Sequence, residues 1–217
     1  MKNLIVIDNF YQNPNTVRDY ALNKATYLPS HQLHPKFAGT ESQQGFFSDA
    51  VIHKLESALG QKIEVNPQKF AFGVFSKTFA ADEIKKSVHV DGSDWAAVLY
   101  LSRPEDCQGG TVFYEHKTWG WSGIPSLDVL QSRGFQSRAD FINSDVNKNS
   151  QDLSKWKISA RIGMKFNRLV LFRAGTLFHA AEGYFGNNDQ NCRLLQLFFF
   201  NIQEFQKNLK KINGELK

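Results

Sequence analysis

Short apolar runs rich in phenylalanine constrain this chain most. Phe70-Ala71-Phe72-Gly73-Val74-Phe75 and Leu197-Phe198-Phe199-Phe200 are bounded by polar or turn-forming residues. Runs this short suit strands buried on both faces better than long helices. With 19 Phe among 217 residues, the chain can fill a sizeable core as one domain spanning residues 1–217.

An opening strand over Leu4–Phe10 is expected, followed by two helices. Asn13-Pro14 resembles a helix start, with Asn13 as cap and Pro14 at the first helical position. Asp49 to Leu59 carries Val51, Ile52, Leu55 and Leu59 at helical spacing, and Gly60 terminates it. Between them, Leu28 to Gly45 reads as a loop containing His31 and His34. Strands then follow at Ile63–Val65, Lys69–Lys77, Ser87–Asp91, Trp95–Arg103 and Thr111–Glu115, and resume at Ile158–Phe166, Leu169–Arg173, Thr176–Ala180 and Arg193–Asn201. Helices followed by a run of strands argue for an α+β fold, mainly β, with a sheet or barrel core. The tail from Gln203 reads as a short basic helix.

The pattern breaks after His116. Residues 117–168 carry nine Lys/Arg against four Asp/Glu, an excess of five that equals the net charge of +5 of the whole chain. The remainder is therefore neutral. Within this segment Ser126 is expected to cap a short helix, Phe135 to Ile142 to form another, and Asn143 to Ser150 to be mobile. An insertion of this length is usually functional or disordered. Trp119 and Trp121 favour a substrate lid, and its charge an anionic substrate. No stretch is long and apolar enough to span a bilayer. Met1 to Asp8 is too short and too soon polar for a signal peptide. Cys107 and Cys192 lack zinc-type spacing and read as reduced thiols. A cytoplasmic protein is expected, with no membrane partner and, in the absence of a nucleic-acid motif, no nucleic-acid partner.

His89-Val90-Asp91 carries the chemistry. On an extended segment, residues i and i+2 share a face. His89 and Asp91 can therefore reach one cation, while Val88 and Val90 face the packed side. One further histidine completes the set of two imidazoles and one carboxylate that leaves positions open on a ferrous ion.

Three later features follow in order. Ala96 to Ser102 is an apolar strand, and Cys107-Gln108-Gly109-Gly110-Thr111-Val112-Phe113 is a Gly-Gly-x-Thr-x-Phe-like turn and strand. Leu169 to His179 then delivers a distal histidine, and Arg193 opens the next strand. This order resembles the Fe(II)/2-oxoglutarate-dependent oxygenases, and within them the prolyl-4-hydroxylase-like branch. The resemblance covers roughly residues 70–201 apart from the insertion.

It implies a double-stranded β-helix, a jelly-roll or cupin-like barrel whose N-terminal helices buttress one sheet. It also implies Fe(II) held by His89, Asp91 and His179, with 2-oxoglutarate as cosubstrate, O2 as oxidant and ascorbate as reductant. Decarboxylation of 2-oxoglutarate to succinate would be coupled to hydroxylation of a small-molecule or peptidyl substrate. Halogenating relatives carry a small residue in place of the carboxylate, so Asp91 favours hydroxylation. Arg193 would hold the far carboxylate of 2-oxoglutarate, since a guanidinium matches a carboxylate bidentately. Tyr100 is a candidate hydrogen-bond partner for the same molecule. His116 competes with His179 or lines the substrate side, and Arg173 is a rival to Arg193. The alternative function is a barrel that binds metal or ligand without turnover.

Overall fold

The computed structural model describes residues 2–29, 39–82, 85 and 87–203. His31, His34 and the expected tail helix beyond Gln203 lie outside the described residues. Every strand pairing is antiparallel.

The large sheet begins at one edge with β1 (Leu4–Ile7) and ends at the other with β2 (Tyr27–Pro29) beside β3 (Thr40–Gly45). Between the edges, starting from β1, lie Leu169–Phe172, Trp95–Tyr100, Arg193–Ile202 and Phe72–Thr78. In chain order Ile63–Glu64 is β4, Phe72–Thr78 is β5 and Trp95–Tyr100 is β6. Next come β7 (Gly110–His116), β8 (Trp156–Gly163), β9 (Leu169–Phe172), β10 (His179–Glu182) and β11 (Arg193–Ile202). The small sheet has the order β10-β7-β8, and β4 pairs with β11 off the main path.

The phenylalanine runs are buried on both faces, as their lack of alternation requires. On β11, Leu194, Phe198 and Phe200 point to the outer face of the large sheet. There α1 (Pro14–Asn23) and α2 (Asp49–Leu59) supply Ala21, Val51 and Leu55. Leu195 and its neighbours on β6 and β9 point to the other face, where Phe113 and Met164 from the small-sheet side meet them. Phe113 and Phe172 touch edge to face across that gap, with ring centroids 5.2 Å apart. Two antiparallel sheets face each other across an interior, with helices behind the larger one: a jelly-roll of the double-stranded β-helix type. Each buried Phe contributes about 1.5–3 kcal/mol to this packing.

Several expected boundaries move. Proline at the start of α1 takes the expected place, but Asn13 makes no side-chain capping bond. Gly60 closes α2 in the left-handed region, at φ 68°. The expected loop over Leu28–Gly45 contains most of β2 and all of β3. Ser87–Asp91 forms no ladder strand; it is extended and makes one isolated bridge, through His89. Asn143–Ser150 is helical rather than mobile. It continues α4 (Arg138–Phe141) through a π-helical turn at Ile142–Val146 into α5 (Asn147–Asn149). Buried Phe141 and Val146 hold that polar run in place. A short helix (Leu127–Ser132, α3) precedes it.

The Gly109-Gly110 turn is wedged between two strands. Gly109 has φ 65°, and a Cβ there would stand 2.1 Å from the Glu182 carbonyl oxygen on β10. Left-handed strain and a backbone collision would then add. Gly109→Ala is expected to cost about 2–4 kcal/mol, read as a lower urea midpoint with unchanged slope. An unchanged midpoint would show that the turn tolerates a side chain.

Candidate metal centre

Strand alternation sets the site. Val88 and Val90 join an apolar cluster on the outer face of the small sheet, together with Val112, Tyr114, Phe178 and Ala180. The residues between them point the other way, so His89, Asp91 and His179 face the interior. One nitrogen from each histidine and one carboxylate oxygen lie within 4.8 Å of one another. Asp91 Oδ1 is 3.5 Å from His89 Nε2, and Asp91 Oδ2 is 3.5 Å from His179 Nε2. Ligand atoms about 2.1 Å from one ion and at right angles to each other sit about 3.0 Å apart. The three donors, all within 4.8 Å of one another, are thus near enough to close on a single divalent cation by moving together.

Backbone pairing places the histidines. His89 and His179 form an antiparallel bridge, each amide donating to the other's carbonyl at 3.0 Å. Their rings stand 4.5 Å apart. Each Nδ1 lies 2.9 Å from the carbonyl oxygen two residues earlier, Ser87 for His89 and Leu177 for His179. A carbonyl can only accept, so Nδ1 carries a proton, and Nε2 is the ring atom turned toward the site. Such partners orient metal-ligating histidines. Asp91 is held by its own amide, which donates to the Ala174 carbonyl at 2.9 Å.

Deeper in the same interior lies a buried cation. Arg193 is 5% exposed and makes one long bond, from Nη2 to the Gly110 carbonyl at 3.4 Å. Its Nε has no partner among the described residues. Burial pulls its pKa below the usual guanidinium value. Thr78, directly across the ladder from Arg193, has a buried hydroxyl that also lacks a partner. Fully buried Tyr100 exchanges a 2.7 Å hydrogen bond with Thr111, and burial raises its pKa. Thr111 is two residues from Phe113, which pairs with His179; two residues along a strand span about 6.8 Å. The buried guanidinium and the histidines thus face one interior, with Thr111 two residues along β7 from the partner of His179.

The structure brings together His89, Asp91 and His179, and places Arg193 and Tyr100 in the same interior. It does not bring His116 there. His116 is 1% exposed, packs edge-on against Trp156, and hydrogen-bonds Asp145 at 2.8 Å on the outer side of the small sheet. It therefore lies apart from the His89, Asp91 and His179 group. Arg173 is half-buried at the turn after β9. Thr78 was missed because no local motif marks it; only its register with Arg193 does.

The expected lid, residues 117–168, has its aromatic cluster on the outer face of the small sheet. Trp119 and Trp121 stack at 5.3 Å and pack with Phe135, Phe141 and Leu130. Its last part includes β8 itself.

Among the described residues, no helix is long and apolar enough to cross a membrane. No curated protein matches the chain. Its solved-structure likenesses include HygX from Streptomyces hygroscopicus with nickel and 2-oxoglutarate bound, at 11% identity and TM-score 0.42. That match covers 91% of this chain and 82% of HygX. A second HygX structure, with nickel, 2-oxoglutarate and hygromycin B bound, is 12% identical with TM-score 0.40, covering 91% and 81%. An N-substituted L-amino acid dioxygenase from Burkholderia ambifaria AMMD is 14% identical with TM-score 0.34, covering 90% and 80%. Residues 1–188 match DUF6445, a family of unknown function, and the chain belongs to that family.

Proposed function

We propose that this chain is an Fe(II)- and 2-oxoglutarate-dependent dioxygenase of the prolyl-4-hydroxylase-like branch that hydroxylates a small-molecule or peptidyl substrate. One observation carries the reading. Two oriented imidazoles and a carboxylate converge on the face of the interior that also buries an arginine whose Nε has no partner among the described residues. A dicarboxylate with one end toward the histidines and the other on Arg193 answers both needs.

The geometry supports these roles. His89, Asp91 and His179 would hold Fe(II), and the backbone carbonyls behind both imidazoles fix the orientation that turns each Nε2 to the site. Arg193 would take the far carboxylate, with the Thr78 and Tyr100 hydroxyls beside it. Phe113 and Phe172 wall His179 and keep water from that side. The His89 side chain is 31% exposed against 7% for His179, so a second substrate would approach from the His89 side. An Fe(II) held there would supply the O2 activation needed to couple conversion of 2-oxoglutarate to succinate and carbon dioxide with insertion of one oxygen into the substrate.

Purified protein, incubated with Fe(II), ascorbate, 2-oxoglutarate and air, is expected to form succinate. Candidate substrates should raise that rate and gain one oxygen by mass spectrometry. Keto-acid binding without succinate would instead identify a binding protein that has kept the barrel and lost turnover.

A further inference from the structure

The insertion between β7 and β8 is joined by its backbone to both histidine-bearing segments. Val88, immediately before His89, donates its amide to the Ser150 carbonyl at 2.8 Å. Phe178, immediately before His179, donates to Ser122 at 3.2 Å, and Ile124 donates to Thr176 at 2.9 Å. Both ligating histidines are therefore preceded by a residue whose amide is bonded to the insertion. A cover that swings open would break these bonds each time.

Asp145 ties the two ends of the insertion together. Its carboxylate accepts from His116 Nε2 at 2.8 Å, Trp119 Nε1 at 2.7 Å and Asn149 Nδ2 at 2.9 Å. His116 ends β7, Trp119 lies in the insertion's first turn, and Asn149 adjoins Ser150. The Thr118 amide donates to His116 Nδ1 at 3.3 Å, so the ring's proton sits on Nε2 and points at Asp145. The Asn149 carbonyl also accepts from Trp156 Nε1, at the start of β8, at 3.0 Å. The π-helical turn at Ile142–Val146 presents this carboxylate, and such turns concentrate at functional sites. With His116 buried, an incompletely satisfied network here would be costly.

We propose that Asp145 is a positioning residue for the metal centre. It fixes the insertion, and the insertion fixes Val88-His89 and Phe178-His179 from behind the small sheet. The inference rests on the metal reading above, and it makes the insertion a brace in place of the expected mobile cover.

The test compares wild type, Asp145→Ala and Asp145→Asn, the last keeping one acceptor oxygen. In metal-free protein, Asp145→Ala should speed amide hydrogen exchange at Val88 and Phe178 by about tenfold or more, while Leu171 in β9 exchanges at the wild-type rate. Anaerobic Co(II) titration should show affinity reduced about 10- to 100-fold and an altered visible ligand-field band, with Asp145→Asn in between. Wild-type exchange at Val88 and Phe178, with only residues 117–155 loosened, would overturn the proposal in favour of an independent cover. If the wild type itself gives no Co(II) band, the metal reading falls, while the exchange comparison still decides the brace. Should Asp145→Ala fail to fold, Asn149→Ala removes one of the three donors and takes the same measurements.

Discussion

Replacing Arg193 by methionine should leave the ligand-free protein as stable as wild type or more so, and abolish its stabilisation by 2-oxoglutarate. The two halves have one cause. Arg193 is 5% exposed and, among the described residues, has an orphaned Nε and a long bond to Gly110. Holding an ion in such a place costs several kcal/mol unless a counter-charge arrives. A methionine of similar length leaves that cost out and fills the space. With ligand at a hundred times its dissociation constant, the wild type should gain about 2.7 kcal/mol on binding. The variant should gain almost nothing, its affinity having dropped at least about 100-fold. Thermal unfolding with and without 2-oxoglutarate gives both numbers. Thr78→Val should move both quantities in the same directions by smaller amounts, because it too removes an unpartnered buried polar atom. A variant that unfolds easily yet still gains stability from 2-oxoglutarate would place the dicarboxylate elsewhere.

Asp91→Ala should produce the second large effect, on the metal. The residue supplies the only anionic donor of the three, with one oxygen 3.5 Å from each imidazole nitrogen. Without it, two neutral imidazoles remain, and a hard divalent ion loses its charge-matched ligand. Fe(II) or Co(II) affinity should fall at least about 100-fold, or roughly 2.7 kcal/mol. The fold should hold, since the segment is pinned by the amide of residue 91 on Ala174 and by the His89–His179 bridge, both of which an alanine preserves. Anaerobic titration followed by optical absorption checks the loss. Wild-type affinity in this variant would remove Asp91 from the centre.

What was readable in the sequence, and what was not, divides by the distance over which each signal acts. His89-Val90-Asp91 was legible because two-residue periodicity turns a tripeptide into a shared face. Gly109-Gly110 was legible because close backbone approach admits little else. The core strands announced themselves through unbroken apolar runs. Thr78 gave no such sign, since its meaning comes from register with a residue more than a hundred positions later. Asp145 was equally silent: a lone acid in a polar run, made significant by three donors that only tertiary packing assembles. Asn143–Ser150 looked mobile for the same reason, as short helices owe their stability to packing rather than to propensity. β2 and β3 were hidden by Pro29 and by the polar stretch Thr40–Gly45. His116 stayed open because nothing along β7 showed which face its last residue would take.

The place of β11 in the sheet has a consequence for how the chain comes to be folded. It is the last of the described strands in sequence, yet it lies between β5 and β6 and hydrogen-bonds both. During synthesis those two phenylalanine- and alanine-rich strands must wait, edges open, until residues 193–202 emerge. β1 waits similarly for β9. Pairings that close such long loops form slowly, and unpaired apolar edges invite association with other chains. Yield on expression should therefore be governed by crowding among nascent chains. Slower synthesis at lower temperature is the natural remedy, and the phenylalanine content that secures the finished core is what makes the wait hazardous.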